Sequence, residues 1–350
     1  MEWRAALLTE TRRMASHFGN RRISSIFFGG GTPSLMAPKT VSALLELVAR
    51  HWDIDDRVEI TLEANPTSAD ARRFRDFQAA GINRLSLGVQ ALDDDALCFL
   101  GRGHTSHEAV LAAQLAQNVF QRTSIDLIYA RPQQEPRGWH AELEQALNLV
   151  DDHISLYQLT VEKGTAFYGA KRHGRLALPT DEIALSLYEI TQELLAAAGL
   201  PAYEISNHAR PGAESRHNLI YWRYQDYLGI GPGAHSRIMV NSQVQALEQI
   251  RSPTQWMKAV ASGNGGSLLR ECLSREQCIR EMVIMGLRLK TGLDRDWFAR
   301  RLGLALNDAI DLSALSRLNN QGLTVTDNMG IRLSTKGYTL LDSVVEVLLP

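Results

Sequence analysis

The sequence predicts an α/β protein in which strands and helices alternate along most of the chain, followed by a mostly helical C-terminal part. Apolar, β-rich runs recur about every 30 residues, and helical patterns lie between most of them. Beyond about residue 270 the pattern becomes largely helical. Crossovers of this length suit parallel pairing, so we expect stacked βα units that form a barrel, a part-barrel or a doubly wound sheet.

Six short apolar runs are the predicted strands of this sheet: 23–28, 58–62, 84–89, 124–129, 154–159 and 202–205. Apolar residues at helical spacing predict the intervening helices at 41–50, 71–80, 141–150 and 183–198. A further helix begins directly at Glu2, with no capping residue and no strand before it. If that helix belongs to a unit whose strand is absent, we expect the neighbouring strand to have an open edge.

The C-terminal part follows a winged-helix-like order. Helices are predicted at 274–289, 294–302 and 307–319, a hairpin at 323–326 and 331–334, and a closing helix at 338–349. We therefore divide the chain into a barrel domain at 1–240 and a helical domain at 241–350. Acidic and basic side chains are mixed in the last 80 or so residues, which favours a packing or lid domain over DNA binding.

The composition favours small-molecule chemistry. The 350 residues carry a formal charge of -2, which gives no argument for nucleic acid as a partner. No run approaches the roughly 18 apolar residues of a spanning helix, so no transmembrane segment is expected. Three scattered cysteines, Cys98, Cys272 and Cys278, make no disulfide framework. A cytoplasmic location is the resulting prediction.

Polar and glycine residues follow the predicted strands at the end where parallel α/β sheets bind ligands: Gly29-Gly30-Gly31-Thr32-Pro33, Glu63-Ala64-Asn65-Pro66, Gln90, Asp126 and Ser206-Asn207. Glycines allow close approach of the backbone to a ligand, and a carboxylate such as Glu63 can bind ribose hydroxyls or an ammonium group. Arg102, beyond the next helix, can pair with a carboxylate in a bidentate fork. Each residue alone is as well explained by a turn, a structural hydrogen bond or a solvated charge. Their convergence on one rim predicts a site.

Eight motifs carry a more specific resemblance. They are FFGGGTPSL (27–35), LEANP (62–66), NRLSLGVQ (83–90), IDLI (125–128), HISLYQL (153–159), YEISN (203–207), HNLIYW (217–222) and YLGIGPGAH (227–235). The series resembles the oxygen-independent coproporphyrinogen oxidase family of radical S-adenosylmethionine (SAM) proteins. The last three motifs are closer to its heme chaperone branch than to the true oxidase. The resemblance covers nearly the whole chain and implies an incomplete (β/α) radical SAM barrel.

The resemblance implies a SAM site and its residues: Gly30, Gly31, Thr32, Glu63, Gln90, Arg102 and Asp126, with Thr160 as a weaker candidate. In the family picture the glycine motif holds the methionine amino group. Arg102 then meets the carboxylate, and Glu63 reaches the ribose or the amino group.

The HNLIYW motif implies heme binding. His217 is then the candidate axial ligand, and Tyr221 a neighbour that hydrogen-bonds or ligates, whereas a lone histidine is usually structural. His235 is a second candidate. The implied function is a heme chaperone that binds heme for delivery to respiratory hemoproteins such as cytochromes. The alternative is the oxidase, in which a 5′-deoxyadenosyl radical starts the oxidative decarboxylation of coproporphyrinogen to protoporphyrinogen.

The sequence departs from the family at its cluster. Radical SAM chemistry in this family needs a [4Fe-4S] cluster held by a C-x3-C-x2-C triplet, and the sequence has no cysteine before Cys98. Either the natural protein starts earlier, or this relative has lost the cluster and keeps a binding task; enzyme activity and catalytic residues therefore stay unassigned, as do metal ligands. Two further departures are Arg131, where the family usually has an apolar residue, and Ser215, where relatives often have cysteine.

Overall fold

A computed structural model describes residues 2–349 and confirms the α/β fold class. One six-stranded sheet has the order β1 (Arg22–Phe28), β2 (Asp53–Ala64), β3 (Arg84–Gln90), β4 (Arg122–Tyr129), β5 (His153–Gln158) and β6 (Asn207–Ala209). Strands β2 to β5 pair in parallel, and β6 is antiparallel to β5. Consecutive strands are neighbours throughout, as in an incomplete (β/α) barrel whose end strands, within the described chain, are β1 and β6.

The first ten helices are α1 (Glu2–Phe18), α2 (Pro38–His51), α3 (Ala71–Ala79), α4 (Asp94–Phe99), α5 (Ser106–Val119), α6 (Pro136–Leu147), α7 (Ala166–Arg172), α8 (Asp181–Ala197), α9 (Arg216–Trp222) and α10 (Pro253–Ala261). Several begin where the sequence supplies a cap. Asp70 accepts a hydrogen bond from Arg73 N, and Thr105 forms a capping box with Glu108. Among residues 2–349, no helix combines the length and apolarity needed to cross a bilayer.

The predicted sixth strand was wrong. Residues 202–205 form no strand, and β6 lies slightly later and runs antiparallel to β5. The physical reason is the buried Glu204, which accepts hydrogen bonds from Ser206 N at 3.0 Å and from the Asn207 side chain. These local bonds favour a turn over an extended strand.

A cluster of buried charges lies at the amino ends of the parallel strands. Glu59 and Arg84 are 3% and 2% exposed, and the Glu59 carboxylate lies 2.7 Å from Arg122 and 4.0 Å from Arg84. Arg122 also pairs with Asp152 at 3.1 Å. Nearby in sequence, His153 is buried between the Ser124 and Tyr203 hydroxyls. Buried charges need such partners because desolvation penalises them.

A second sheet, which the sequence did not predict, follows α9. It is antiparallel, with strands β7 (His235–Val240), β8 (Gln243–Gln249) and β9 (Ser267–Cys272). Helix α1 packs on it, because Met14 and Phe18 form an apolar cluster with Ile238 and Leu247. The opening helix therefore has its core partners in a much later part of the chain.

The C-terminal part has the predicted winged-helix-like order. Its elements are α11 (Arg275–Gly286), β10 (Leu293–Asp294), α12 (Arg295–Leu302), α13 (Leu306–Ala309), α14 (Leu312–Asn320), β11 (Thr324–Thr326), β12 (Gly330–Leu333), α15 (Thr335–Tyr338) and α16 (Leu341–Leu348). The hairpin β11–β12 also pairs with β10. The predicted helix at 307–319 is divided into α13 and α14. The predicted helix at 338–349 corresponds to α16, and α15 precedes it and shares only Tyr338 with the predicted range.

The chain folds into two compact units built from alternating segments. Unit 1 contains residues 1–24, 39–58 and 216–350, and unit 2 contains residues 25–38 and 59–215. Strands β1 and β2 each contribute residues to both units. The sequence-based division at residue 240 falls at the β7–β8 turn, where Val240 pairs with Gln243, and it stays a prediction for the domain organisation.

Candidate functional site

A polar cavity of about 180 Å³ opens in unit 2 where the parallel strands end. Its lining contains five of the predicted site residues together with five others: Gly31, Thr32, Glu63, Gln90 and Asp126, then Pro33, Ala64, Asn65, Ser86 and Gly88. The cavity is smaller than the roughly 300–1,000 Å³ of pockets for drug-sized ligands. It can therefore enclose one polar part of a ligand, such as an amino-acid moiety.

The glycine loop after β1 borders this cavity. Gly30 has φ +85°, a left-handed conformation that side chains rarely adopt, and its N–H donates to the Glu63 carboxylate at 3.1 Å. At Gly29 a Cβ atom would lie 2.7 Å from the Phe27 ring and 3.2 Å from the Glu63 carboxyl carbon. Both glycines are thus required for the loop to meet Glu63.

Strand β3 ends in a second constrained conformation. Gln90 has φ +70° although it is not glycine, and the β3–β4 register shifts between Leu87 and Gln90. A Cβ atom at Gly88 would lie 2.7 Å from the Gln90 side-chain nitrogen and 3.4 Å from the Asn65 amide oxygen. Glycine at 88 therefore leaves the space in which the Gln90 and Asn65 amides face the cavity.

Two carboxyl groups dominate the electrostatics of the cavity. Burial, and to a smaller extent the Asp126 charge, raise the pKa of Glu63 to about 7, although the hydrogen bond from the Gly30 N–H opposes the shift. Burial also raises the pKa of Asp126. The hydrogen bonds from Ser155 and Ser86 and the charge of Arg84 lower that pKa, but by less than burial raises it. A cation would relieve both effects, because an opposite charge favours ionised carboxylates.

Arg102 and Thr160 do not line the cavity. Arg102 follows α4, and its N–H donates to Leu97 O at 2.9 Å. Its Nε atom is buried without a hydrogen-bond partner in the described part of the chain, and burial lowers the pKa of its guanidinium group. Thr160 is exposed after β5.

The described residues fit the polar groups of SAM. Two carboxyl groups and side-chain amides suit an ammonium or sulfonium cation and ribose hydroxyls. The unsatisfied Nε of Arg102 suits a carboxylate. Because Arg102 lies outside the cavity lining, SAM would have to extend beyond the cavity for its carboxylate to meet Arg102. The roles of the individual site residues stay predictions.

Sequence reasoning missed Ser86 and Gly88 as cavity residues, and it named Asn65 only within a motif. The signal was available in strand periodicity. Side chains two residues apart share a face, so Gln90 implies Gly88 and Ser86, and Glu63 implies Asn65.

The predicted heme residues lie in unit 1, on α9. His217 and Tyr221 are one turn apart, with ring centroids separated by 4.8 Å and planes at 81°. Tyr227 lies 4.4 Å from Tyr221, and we call these three residues the α9 cluster. None of the seven residues of α9 is fully buried. The cluster can therefore offer an imidazole and aromatic faces to a flat, apolar ligand.

The α9 cluster is supported by charged neighbours. Arg237, which pairs with Tyr227 through backbone hydrogen bonds, binds Glu281 at 2.7 and 2.9 Å. Burial raises the pKa of Tyr221 to about 12, with Tyr227 contributing. Tyr221 is therefore a neutral phenol at physiological pH. The other candidate, His235, is exposed at the start of β7.

The two sequence departures acquire structural partners. The Arg131 side chain is 6% exposed and pairs with Glu142 on α6. Ser215 is buried, and its hydroxyl donates to Glu59 at 3.4 Å. Both residues therefore act within the packed interior of unit 2.

The cysteines do not fit a [4Fe-4S] cluster. Cys98 is exposed on α4, Cys272 is exposed on β9, and Cys278 is buried on α11. Within residues 2–349 there is no group of three His, Cys, Asp or Glu side chains arranged to hold a metal ion.

Comparison with known proteins gives two matching family models. The model of the Radical SAM superfamily matches residues 3–145, and that of the HemN C-terminal domain matches residues 273–340. The first match runs from α1 into α6 and includes β1 to β4, and the second includes the elements from α11 to α15.

Similar proteins match nearly the whole chain. Radical S-adenosyl methionine domain-containing protein 1, mitochondrial, of Bos taurus is 41% identical, covering 99% of this chain and 80% of the relative. Heme chaperone HemW of Bacillus subtilis is 32% identical, covering 98% and 90%. The solved structure of coproporphyrinogen III oxidase (HemN) from Escherichia coli aligns with a TM-score of 0.80 at 25% identity, covering 98% and 81%.

Proposed function

Since the chain belongs to the radical SAM family, and within it to the HemW-like branch, we propose that it binds heme and delivers it to respiratory hemoproteins such as cytochromes. The observation that supports this proposal best is the α9 cluster. It presents a histidine 4.8 Å from a tyrosine ring on a helix with no buried residue. An imidazole can ligate heme iron, and the half-burial of the α9 residues suits a cargo that must leave again.

The proposed ligand roles within the cluster follow from the chemistry of its side chains. A neutral imidazole ligates heme iron directly, whereas tyrosine must first lose its phenol proton. We therefore assign axial ligation to His217, and porphyrin contact to Tyr221 and Tyr227.

We further propose that the polar cavity of unit 2 holds part of SAM. SAM brings an ammonium group, a sulfonium group and a carboxylate to the protein. Glu63 and Asp126 would face the cations, and the buried Nε of Arg102 would receive the carboxylate. Gly30 orients Glu63 through its N–H.

The oxidase is the second candidate, and the similarity to coproporphyrinogen III oxidase at a TM-score of 0.80 favours it. Its chemistry depends on a cluster that Cys98, Cys272 and Cys278 do not fit. Heme binding at α9 needs no such cluster, so the chaperone is the better-supported proposal.

For the compartment we propose the cytoplasm, because three free cysteines suit reducing surroundings. The name of the Bos taurus relative includes the word mitochondrial, which makes the mitochondrion the competing location. Fractionation of cells that express the natural protein decides between them.

A heme titration of the 350-residue chain, followed by Soret absorbance, tests the proposed function. We expect saturable binding. The substitution His217→Ala should shift the Soret band and weaken binding by at least about tenfold, because it removes the iron ligand. The matched control is His107→Ala, which removes an exposed histidine from α5.

The outcomes separate the candidates. A folded wild-type chain that binds no heme contradicts the chaperone proposal. Loss of binding in His235→Ala but not in His217→Ala would move the iron ligand to β7.

A further inference from the structure

The loops that leave β3 and β4 are joined by one carboxylate, Glu142 on α6. The Leu92 N–H, just after β3, donates to Glu142 Oε1 at 2.9 Å. After β4, the Arg131 guanidinium pairs with Glu142 Oε2, to which the Gln134 side chain also donates at 3.4 Å. A single side chain thus fixes two loops within unit 2.

Both loops continue directly from strands that line the polar cavity. Leu92 follows Gln90, the cavity residue with φ +70°, by two positions. The loop after β4 contains two more non-glycine residues in the left-handed region, Ala130 at φ +56° and Gln133 at φ +59°. Such conformations cost energy and persist only where the surroundings hold them in place.

Glu142 has the properties of such a support. It is 9% exposed and Arg131 is 6% exposed, so water cannot replace either partner. Glu142 Oε1 accepts a hydrogen bond from the β3 loop, and Glu142 Oε2 accepts one from the β4 loop. The bond to Leu92 fixes the backbone two residues after Gln90, which lines the cavity.

We propose that Glu142 is a positioning residue for the cavity: through the Leu92 N–H it holds Gln90 in its left-handed conformation, and Arg131 neutralises it. The part of this inference that concerns ligand affinity rests on the proposed binding of SAM. The part that concerns the β3 loop does not. Glu142 is absent from the cavity lining, so it acts through Gln90 rather than on the ligand.

Three variants of the full chain test the proposal. Glu142→Ala removes the acceptor for Leu92. Glu142→Gln keeps an acceptor oxygen for Leu92 but leaves Arg131 without its counter-charge. The double variant Arg131→Leu with Glu142→Leu removes the buried charges together and also removes the acceptor. Each is measured by amide hydrogen exchange of the segment around Leu92, by calorimetric titration with SAM, and by its melting temperature.

If Glu142 is a positioning residue, SAM affinity and melting temperature should not change in parallel among the three variants. Glu142→Ala should lose Leu92 protection and bind SAM at least about tenfold more weakly. Glu142→Gln should melt at a lower temperature yet retain protection and nearly all affinity. The double variant should recover much of the melting temperature, because no charge is left unpaired, but keep the fast exchange and weak binding.

A purely structural role predicts the opposite pattern. If the double variant regains wild-type exchange and affinity, or if Glu142→Ala leaves Leu92 protected, the proposal is overturned. If the wild-type chain binds no SAM while Leu92 exchange still follows the predicted order, the positioning role stands. The proposed SAM site then fails on its own.

Discussion

The polar cavity of unit 2 and the α9 cluster of unit 1 are built in opposite ways. The cavity collects residues from β1 to β4 and their loops, spread over nearly 100 positions of the chain. The α9 cluster brings His217 and Tyr221 together within one helical turn. Geometry at the cavity therefore depends on the whole sheet, whereas geometry at α9 depends on local structure. Distant substitutions should affect the cavity far more than the cluster.

The largest expected effect comes from the buried charges at the amino ends of the strands. Glu59→Ala leaves Arg84, 2% exposed, without its nearest carboxylate, and should lower the free energy of unfolding by ~3–5 kcal/mol. Urea denaturation measures the loss. The control Glu46→Ala breaks the exposed pair with Arg50 on α2 and should cost less than ~0.5 kcal/mol. Equal losses would show that burial of the Glu59 cluster contributes nothing.

The next effect sharpens the cavity side of the comparison. Arg102→Ala should weaken SAM binding by about 10–100-fold, because a charge-assisted hydrogen bond to the ligand carboxylate is lost. Calorimetry measures the affinity, and Arg102→Lys separates charge from the guanidinium fork. Unchanged affinity in Arg102→Ala would remove this residue from the site.

A pH experiment tests the carboxyl pair. The folded-state pKa of Glu63, about 7, lies above its ordinary value of 4.5, so its protonated form is favoured by folding. Its stabilising contribution is complete below pH 4.5 and is lost as the pH rises through 7. Glu63→Gln should therefore gain melting temperature relative to wild type between pH 5 and 8. A constant difference across that range contradicts the raised pKa.

Comparison at each pH removes the influence of groups that do not interact with Glu63. Burial, together with the charges of Arg84 and Arg122, lowers the pKa of His153 well below its ordinary value. Its contribution is complete above pH 6.5 and is lost as the pH falls. Because both proteins contain His153, its contribution cancels in the difference.

The smallest expected effect concerns the α9 cluster. Tyr221→Phe keeps the ring beside His217 and removes only a hydroxyl that is neutral at physiological pH. Heme affinity should change by less than about fivefold, the scale of a single neutral hydrogen bond, and the Soret band should not move. A shifted band would make Tyr221 an iron ligand and reverse the assignment to His217.

The fold could be read from the sequence wherever elements are long and periodic. Strands β1, β3, β4 and β5 lie within two residues of their predicted positions. The sheet β7–β9 was missed; of its strands, β9 is almost fully exposed and has no alternating apolar pattern to reveal it. The strand at 202–205 failed because the side-chain bonds of the buried Glu204 override a β-rich composition.

The candidate site residues could likewise be predicted where they follow a regular strand, but not where their position depends on a loop or on distant partners. The rule that ligands meet strand ends brought Glu63, Gln90 and Asp126 to one cavity, as the structure shows. It placed Arg102 on the same rim, but that residue lies outside the lining because its position depends on the loop after α4. Glu142 gave no sequence signal, since a buried glutamate on a helix looks like an exposed one until its partners are known.

The packing of α1 on the second sheet has a consequence for synthesis. Met14 leaves the ribosome roughly 230 residues before its partner Leu247, which is roughly 10–50 s at typical rates of translation. During that interval the apolar face of α1 has no native partner. The nascent chain thus carries an exposed amphipathic segment until its last third emerges. A ribosome-associated holding factor would have its target in α1.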